Sequence, residues 1–137
     1  MQLARRAIPY TPFERKLADT TVALVSTAGV HLRTHEPYNV EGDTSYRTIP
    51  SNTPPSDLMV THEHYDHQQA DRDINCVFPI DRLRELAESG IIKAVSPDFY
   101  GLMGYTLRMQ PILEVSAPEI AQKIERSPTD LVLLTGG

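Results

Sequence analysis

Six consecutive residues, His62-Glu63-His64-Tyr65-Asp66-His67, bring together three imidazoles, two carboxylates and a phenol. Two kinds of chemistry suit such a cluster. An imidazole moves protons near neutral pH, and a carboxylate beside it orients the ring or holds an ammonium group. On that reading His62 is an acid that protonates a leaving amine, Asp66 orients it or grips the substrate's ammonium, and Tyr65 packs against either. Alternatively, imidazoles two apart on a tight turn bind a divalent ion. His62, His64 and His67 would then form a metal-binding module, with zinc or nickel held adventitiously. A closed coordination set needs three or more protein ligands. No histidine follows His67, and the other two, His31 and His35, lie upstream. The third alternative is a solvated polar connector. The cluster is richer than a connector requires, and loops at strand ends are where α/β folds place function.

Weaker candidates surround this turn. Gly29 and His31 follow an apolar run and would meet a ligand at its end. Asp73 and Asn75 either contact substrate or shape the start of a helix. Tyr100 and Tyr105 either line a pocket or pack on the core. The one cysteine, Cys76, excludes an internal disulfide and a cysteine-only zinc site. Beside Val77 and Phe78 it reads as a buried small residue rather than a nucleophile.

The elements that must position these groups follow from the apolar pattern. Residues 1–20 carry Pro9, Pro12 and mixed charge, and read as an extended N-terminal arm. Residues 21–137 read as one α/β domain, incomplete at its C-terminal end. Residues 21–26 are a continuous, β-branched apolar run, the mark of a buried parallel strand. Residues 33–55 form a long polar loop with a short strand at 46–49. A second buried strand, 57–61, delivers the histidine turn. Residues 78–90 are the clearest helix, with Pro79 at its start and Gly90 as its stop. A strand at 91–95, a loop at 96–106, a helix at 117–126 and a strand at 130–135 complete the chain. Ser116 and Glu119 have capping-box spacing for that second helix, although its start, near Pro111 or later, is not fixed by pattern. Alternating strands and helices imply a three-layer fold with a mostly parallel sheet, a Rossmann-like or flavodoxin-like half. Ligands gather at the carboxyl ends of such strands, so Gly29 with His31, the histidine turn and Gly136-Gly137 are expected to converge.

Composition narrows the partners. The chain has 137 residues, 40% hydrophobic, with a net charge of −5, enough for one domain with a real core. Its basic residues are scattered, which excludes a general nucleic-acid surface. No apolar run approaches the roughly 20 residues that span a bilayer, and the first residues lack a signal-peptide core, so a cytoplasmic location is expected. An incomplete sheet would expose a strand edge, which predicts a homo-oligomer.

Two family patterns meet in these residues. His62-x-His64-x-Asp66-His67 resembles the HxHxDH metal motif of the metallo-β-lactamase superfamily. That family's sites need further downstream ligands and a duplicated β-sandwich, which this chain is too short to form. The longer stretch, residues 61–92, resembles the selenoprotein B group of the glycine, sarcosine, betaine and D-proline reductases. The shared pattern is H-x-x-Y-D followed by D-x-N-x-V-F-P-x-D-x-L-R-E-L. It falls here on His62, Tyr65, Asp66, Asp73, Asn75, Val77, Phe78, Pro79, Asp81, Leu83, Arg84, Glu85 and Leu86. The likeness runs from about residue 11 to 134, and makes His64 and His67 additions to the H-x-x-Y-D core. It implies reductive cleavage of a C–N bond in a small amino acid or betaine by a selenocysteine nucleophile. It also implies partner subunits of a reductase. This chain departs from the family in having no selenocysteine and no cysteine in that place. The resemblance places a selenocysteine just after Gly137, across an in-frame UGA, and no cofactor within the chain. The chain alone is then expected to be inactive.

Overall fold

The computed structural model describes residues 12–137. Residues 1–11 of the expected arm lie outside the described residues; the remainder holds a 3-10 turn at Leu17–Asp19.

Strand β1 (Thr21–Ser26) is the axis of the main sheet, and five of its six residues are buried. Along one side it pairs in parallel with β7 (Leu131–Thr135), from Val22↔Leu131 to Ser26↔Thr135. Its other side is shared. The N-terminal half meets β5 (Ala94–Val95), and the C-terminal half meets β6 (Asp98–Leu102). Strand β3 (Tyr46–Pro50) pairs antiparallel with β6 and closes that edge. A second, two-stranded antiparallel sheet joins β2 (Val30–Leu32) to β4 (Leu58–Val60).

From β1 the chain steps to one side, through helices α1 (Gln68–Arg72) and α2 (Ile80–Glu88), to reach β6. It then returns past β1, through α3 (Met109–Pro111) and α4 (Ala117–Glu125), to β7. Steps in opposite directions with crossovers of one hand place the helices on opposite faces. The packing agrees. Val22 and Leu24 pack with Phe78, Ile80 and Leu83, whereas Val25 packs with Tyr100, Leu102 and Ile120. The fold is therefore the expected three-layer α/β arrangement. Its direction of winding reverses between β1 and β7, and such a reversal opens a crevice at the carboxyl ends of those strands.

Helix α2 forms as its pattern dictates. Ile80 and Leu83 are buried, and Gly90 takes φ +73° just past the end, where an L side chain would be strained. Four expectations are corrected. Residues 98–102, expected as loop, form the buried strand β6. Gly101 is needed there because a Cβ would lie 2.1 Å from the Val30 carbonyl oxygen. The expected strand at 91–95 shrinks to Ala94–Val95, and the 58–60 strand belongs to the small sheet rather than the parallel one. The Ser116/Glu119 capping box does not form, because Ser116 is already helical. Its hydroxyl donates to the Thr44 carbonyl, and Glu119 accepts from the Tyr46 hydroxyl. Helical backbone runs from 109 to 125, with a π turn at Ile112–Ser116 ahead of Pro118. Proline lacks an N–H and crowds the carbonyl four residues back, and a widened turn relieves both.

Candidate functional site

The histidine turn is hung from β4, and Gly29 determines where. Gly29 takes φ +77°, and a Cβ on it would lie 2.4 Å from the Thr61 carbonyl oxygen. The Thr61 N–H donates to the Gly29 carbonyl at 2.9 Å, while the Gly29 N–H donates to Leu102 at 2.8 Å. Only glycine allows this contact, which locks the end of β4 to the end of β1. Gly29 therefore positions the turn from behind.

From there His62 points inward and is 8% exposed. Its Nδ1 accepts the His64 N–H at 3.0 Å. In the neutral ring the proton must then sit on Nε2, which is left as a donor. Burial pushes the His62 pKa down from its usual value, helped by His64 and His67 nearby. Tyr65 meets His62 edge to face, with ring centroids 4.7 Å apart. Its hydroxyl donates to the Ala28 carbonyl at 2.9 Å, and burial, then Asp71, raise its pKa to about 12. His64 stacks on Tyr105 at 3.5 Å, and its Nε2 is bonded to the Val40 carbonyl at 3.0 Å.

These four rings, with Thr27, Gly104 and Gly137, line a crevice of about 240 Å³. It stands at the carboxyl ends of β1 and β7, where the winding reverses. Gly137 packs against the Tyr65 ring so closely that a Cβ there would meet ring atoms at 2.4 Å. The histidine turn and the Gly136-Gly137 end of β7 thus converge as expected.

Other expected residues lie elsewhere. His31 is fully buried in β2, its Nδ1 bonded to the Leu32 carbonyl and its Nε2 to the Thr61 hydroxyl, each at 2.7 Å. Burial lowers its pKa too. Asp66 is exposed and accepts the Gln68 N–H at 3.1 Å, shaping the start of α1. His67 pairs with Asp71 at 2.9 Å, one turn along α1. Among the described residues no three His, Cys, Asp or Glu side chains converge to hold a metal ion, so His62, His64 and His67 do not form a ligand set. Tyr100 is a core residue. Cys76, expected to be buried, is exposed on the 3-10 turn at Ile74–Cys76, and the crevice lining does not include it.

Asp73 and Asn75 build the start of α2. The Asp73 carboxylate accepts the Asn75 N–H and side-chain amide, which holds its pKa down. Asn75 in turn donates to Asp81 and accepts its N–H, both at 3.0 Å. A larger concavity, about 460 Å³, borders these residues on the outer side of β4. Asn75 and Asp81 there are bonded to each other and Asp73 is bonded through one carboxylate oxygen, so the smaller crevice, with the free His62 Nε2, is the better site. Thr27 and Gly104 were missed by sequence reasoning. The small-residue turn Thr27-Ala28-Gly29 after a buried strand is the signal that marks the first; Gly104 has none.

A family model described as glycine/sarcosine/betaine reductase selenoprotein B matches residues 2–137. The D-proline reductase subunit gamma of Acetoanaerobium sticklandii is 44% identical over 128 residues, covering 93% of this chain and 53% of that protein. The chain thus spans about half the length of the curated relative it matches. No solved structure matches.

Proposed function

This chain belongs to the glycine/sarcosine/betaine reductase selenoprotein B family, and we propose that it forms the substrate-holding half of a reductase site that cleaves a C–N bond in a small amino acid or betaine. Such a cleavage adds two electrons and a proton, replaces C–N by C–H and releases the amine. One observation carries the reading: His62 and Tyr65, from the family's H-x-x-Y-D turn, face the crevice where β1 and β7 end. His62 presents its Nε2 to the bound substrate, as donor to its carboxylate or as source of the proton that completes the new C–H bond. Tyr65 fixes the His62 ring by packing and anchors the turn to Ala28.

The electrons need a selenol or thiol, and Cys76 does not line this crevice. Gly137 lines it together with His62, so a selenocysteine following Gly137 would arrive at this crevice. The relative is named as a subunit, and this chain is proposed to work with further reductase subunits in the same way. By itself it is expected to turn nothing over.

The coding sequence after Gly137 is the first test: a UGA in an open frame is expected. A chain extended through that codon, with its partner subunits and a dithiol reductant, is expected to release amine from at least one of glycine, sarcosine, betaine or proline. His62→Ala in that chain should slow release about 100-fold or more. No release from any of them, or full activity without His62, would overturn the reading.

A further inference from the structure

We propose that Thr27 is a further substrate-binding residue of this crevice, its hydroxyl donating to the substrate carboxylate beside the His62 Nε2–H. The inference rests on the reading that the crevice is the substrate site, and it names the second group that fixes the substrate there.

Three hydroxyls stand where β1 and β7 end, on Ser26, Thr27 and Thr135. Two of them are taken. Ser26 and Thr135 are paired in register, and both donate to the Val77 carbonyl, at 3.0 and 2.7 Å. Successive side chains of an extended chain alternate in direction, and Thr27, one residue on, does not share that acceptor. Thr27 is exposed and lines the crevice with His62, and its hydroxyl has no hydrogen-bond partner among the described residues.

The surroundings hold that hydroxyl in place and leave it uncovered. The Thr27 N–H donates to the Thr135 carbonyl at 3.0 Å, and the Thr27 carbonyl accepts the Gly104 N–H at 2.8 Å. Its backbone is therefore tied to β7 on one side and to the segment after β6 on the other. The residues beside it are glycines. A Cβ on Gly104 would lie 2.9 Å from the Thr27 carbonyl oxygen and 3.2 Å from its hydroxyl oxygen, and a Cβ on Gly136 would lie 3.5 Å from that hydroxyl oxygen. Neither carries a side chain that could cover it. A threonine hydroxyl sits on Cβ and turns about one stiff torsion, so a fixed backbone fixes the hydroxyl. The Tyr105 hydroxyl, by contrast, sits at the end of a ring that is stacked on His64 and carried by a loop.

A carboxylate suits this pair of donors. It only accepts, through two oxygens. The His62 Nε2 carries a proton in the neutral ring, and a hydroxyl donates to whatever accepts. None of the described residues lining the crevice is acidic, so nothing there repels the anion. Bonds to an ionised acceptor are the stronger kind. In glycine the only C–N bond sits on the carbon that bears the carboxylate. Holding both carboxylate oxygens therefore sets where the bond breaks.

Binding to the purified chain tests the assignment, read by calorimetry and by NMR shifts of the crevice rings. The probes are acetate, glycine betaine and tetramethylammonium: the carboxylate alone, the carboxylate with a quaternary nitrogen, and the nitrogen alone. Acetate and glycine betaine are expected to move the His62 signals, and tetramethylammonium is not. Thr27→Val keeps the shape and loses the hydroxyl, and should weaken both carboxylates about tenfold or more. Thr27→Ala should do the same. Thr27→Ser and Tyr105→Phe should hold them within about threefold of the native chain. The Gly104 amide, bonded to the Thr27 carbonyl, reports whether each variant keeps the native turn. Thr27→Val binding as tightly as the native chain, or Thr27→Ser binding as weakly as Thr27→Val, overturns the assignment. Binding lost in His62→Ala but kept in Thr27→Val would overturn it while leaving the crevice as the substrate site. If no probe binds, the assignment falls, and amine release by the extended chain with its partner subunits still decides the proposed function.

Discussion

Residues 62–67 and residues 73–84 flank one short helix, belong to one family signature, and use their polar atoms in opposite ways. In the second stretch they close on one another. Asp73 holds Asn75, Asn75 holds Asp81, and Asp81 pairs with Arg84 at 3.0 Å. Arg84 then reaches the Ser51 and Thr53 carbonyls at 2.8 and 2.5 Å. Both carboxylate oxygens of Asp81 and the side-chain oxygen of Asn75 are taken up within that chain of bonds. In the first stretch each ring is tethered through one atom and keeps a face or a second nitrogen toward open space. Dense polarity therefore marks architecture where the bonds are closed, and chemistry where they are left open.

The largest effect is expected at Gly29, which positions the first stretch by seating the end of β4. Gly29→Ala adds left-handed strain and a 2.4 Å approach to backbone, and should cost roughly 3 kcal/mol or more. Urea unfolding measures it; a loss under about 1 kcal/mol would mean the β1–β4 lock is soft. Next in size is Arg84→Ala, which strips three bonds made by one charged group. It should lower stability by about 2–3 kcal/mol. Glycine betaine affinity, corrected for the unfolded fraction, should stay unchanged. A loss of affinity in the folded variant would mean the two regions are not separable.

His64→Ala should do the reverse. His64 is exposed, and its removal should change stability by less than about 0.5–1 kcal/mol. Substrate-induced shifts at Tyr105 should nonetheless change, because the ring stacked on it in the crevice is gone. If His64→Ala unfolds the chain instead, its bond to Val40 belongs with the closed network, and the contrast fails at that residue.

Much of this was legible in the sequence, for reasons that differ by residue. Apolar runs announced β1 and β7, and the Ile80/Leu83 spacing announced α2. Strand β1 is buried as expected, whereas β7, expected to be buried, leaves Leu133 and Leu134 exposed because among the described residues it pairs with β1 alone. The histidine turn was legible because its composition exceeds what a connector needs. Strand β6 was not, since Phe99, Tyr100 and Gly101 look like a loop until Val30 is known to lie against Gly101. Nor were Asp66 and His31, whose partners are the Gln68 N–H and the Thr61 hydroxyl. One is local turn chemistry and the other a contact 30 residues distant, and residue type alone separates neither from a site residue. Cys76 was misjudged because its apolar neighbours Val77 and Phe78 turn into the core while the 3-10 turn carries the thiol outward.

His31 and His62 restate the contrast within one residue type, and pH should separate them. Burial lowers both pKa values below the ordinary 6.5. As pH falls through about 6.5 the unfolded chain takes up protons that the folded chain refuses. Stability is thus fully present above that pH and is lost progressively below it, and urea midpoints between pH 8 and 5 should record the decline. That signature is common to both histidines. The difference appears on adding glycine betaine. A carboxylate received at the His62 Nε2 favours the protonated ring, so the NMR titration of His62 should move up, toward or past 6.5. His31, with both nitrogens already bonded inside the protein, should titrate as before. Equal displacement of the two curves would show that the ligand acts through the fold as a whole, and that the histidine turn is no more open than the core beneath it.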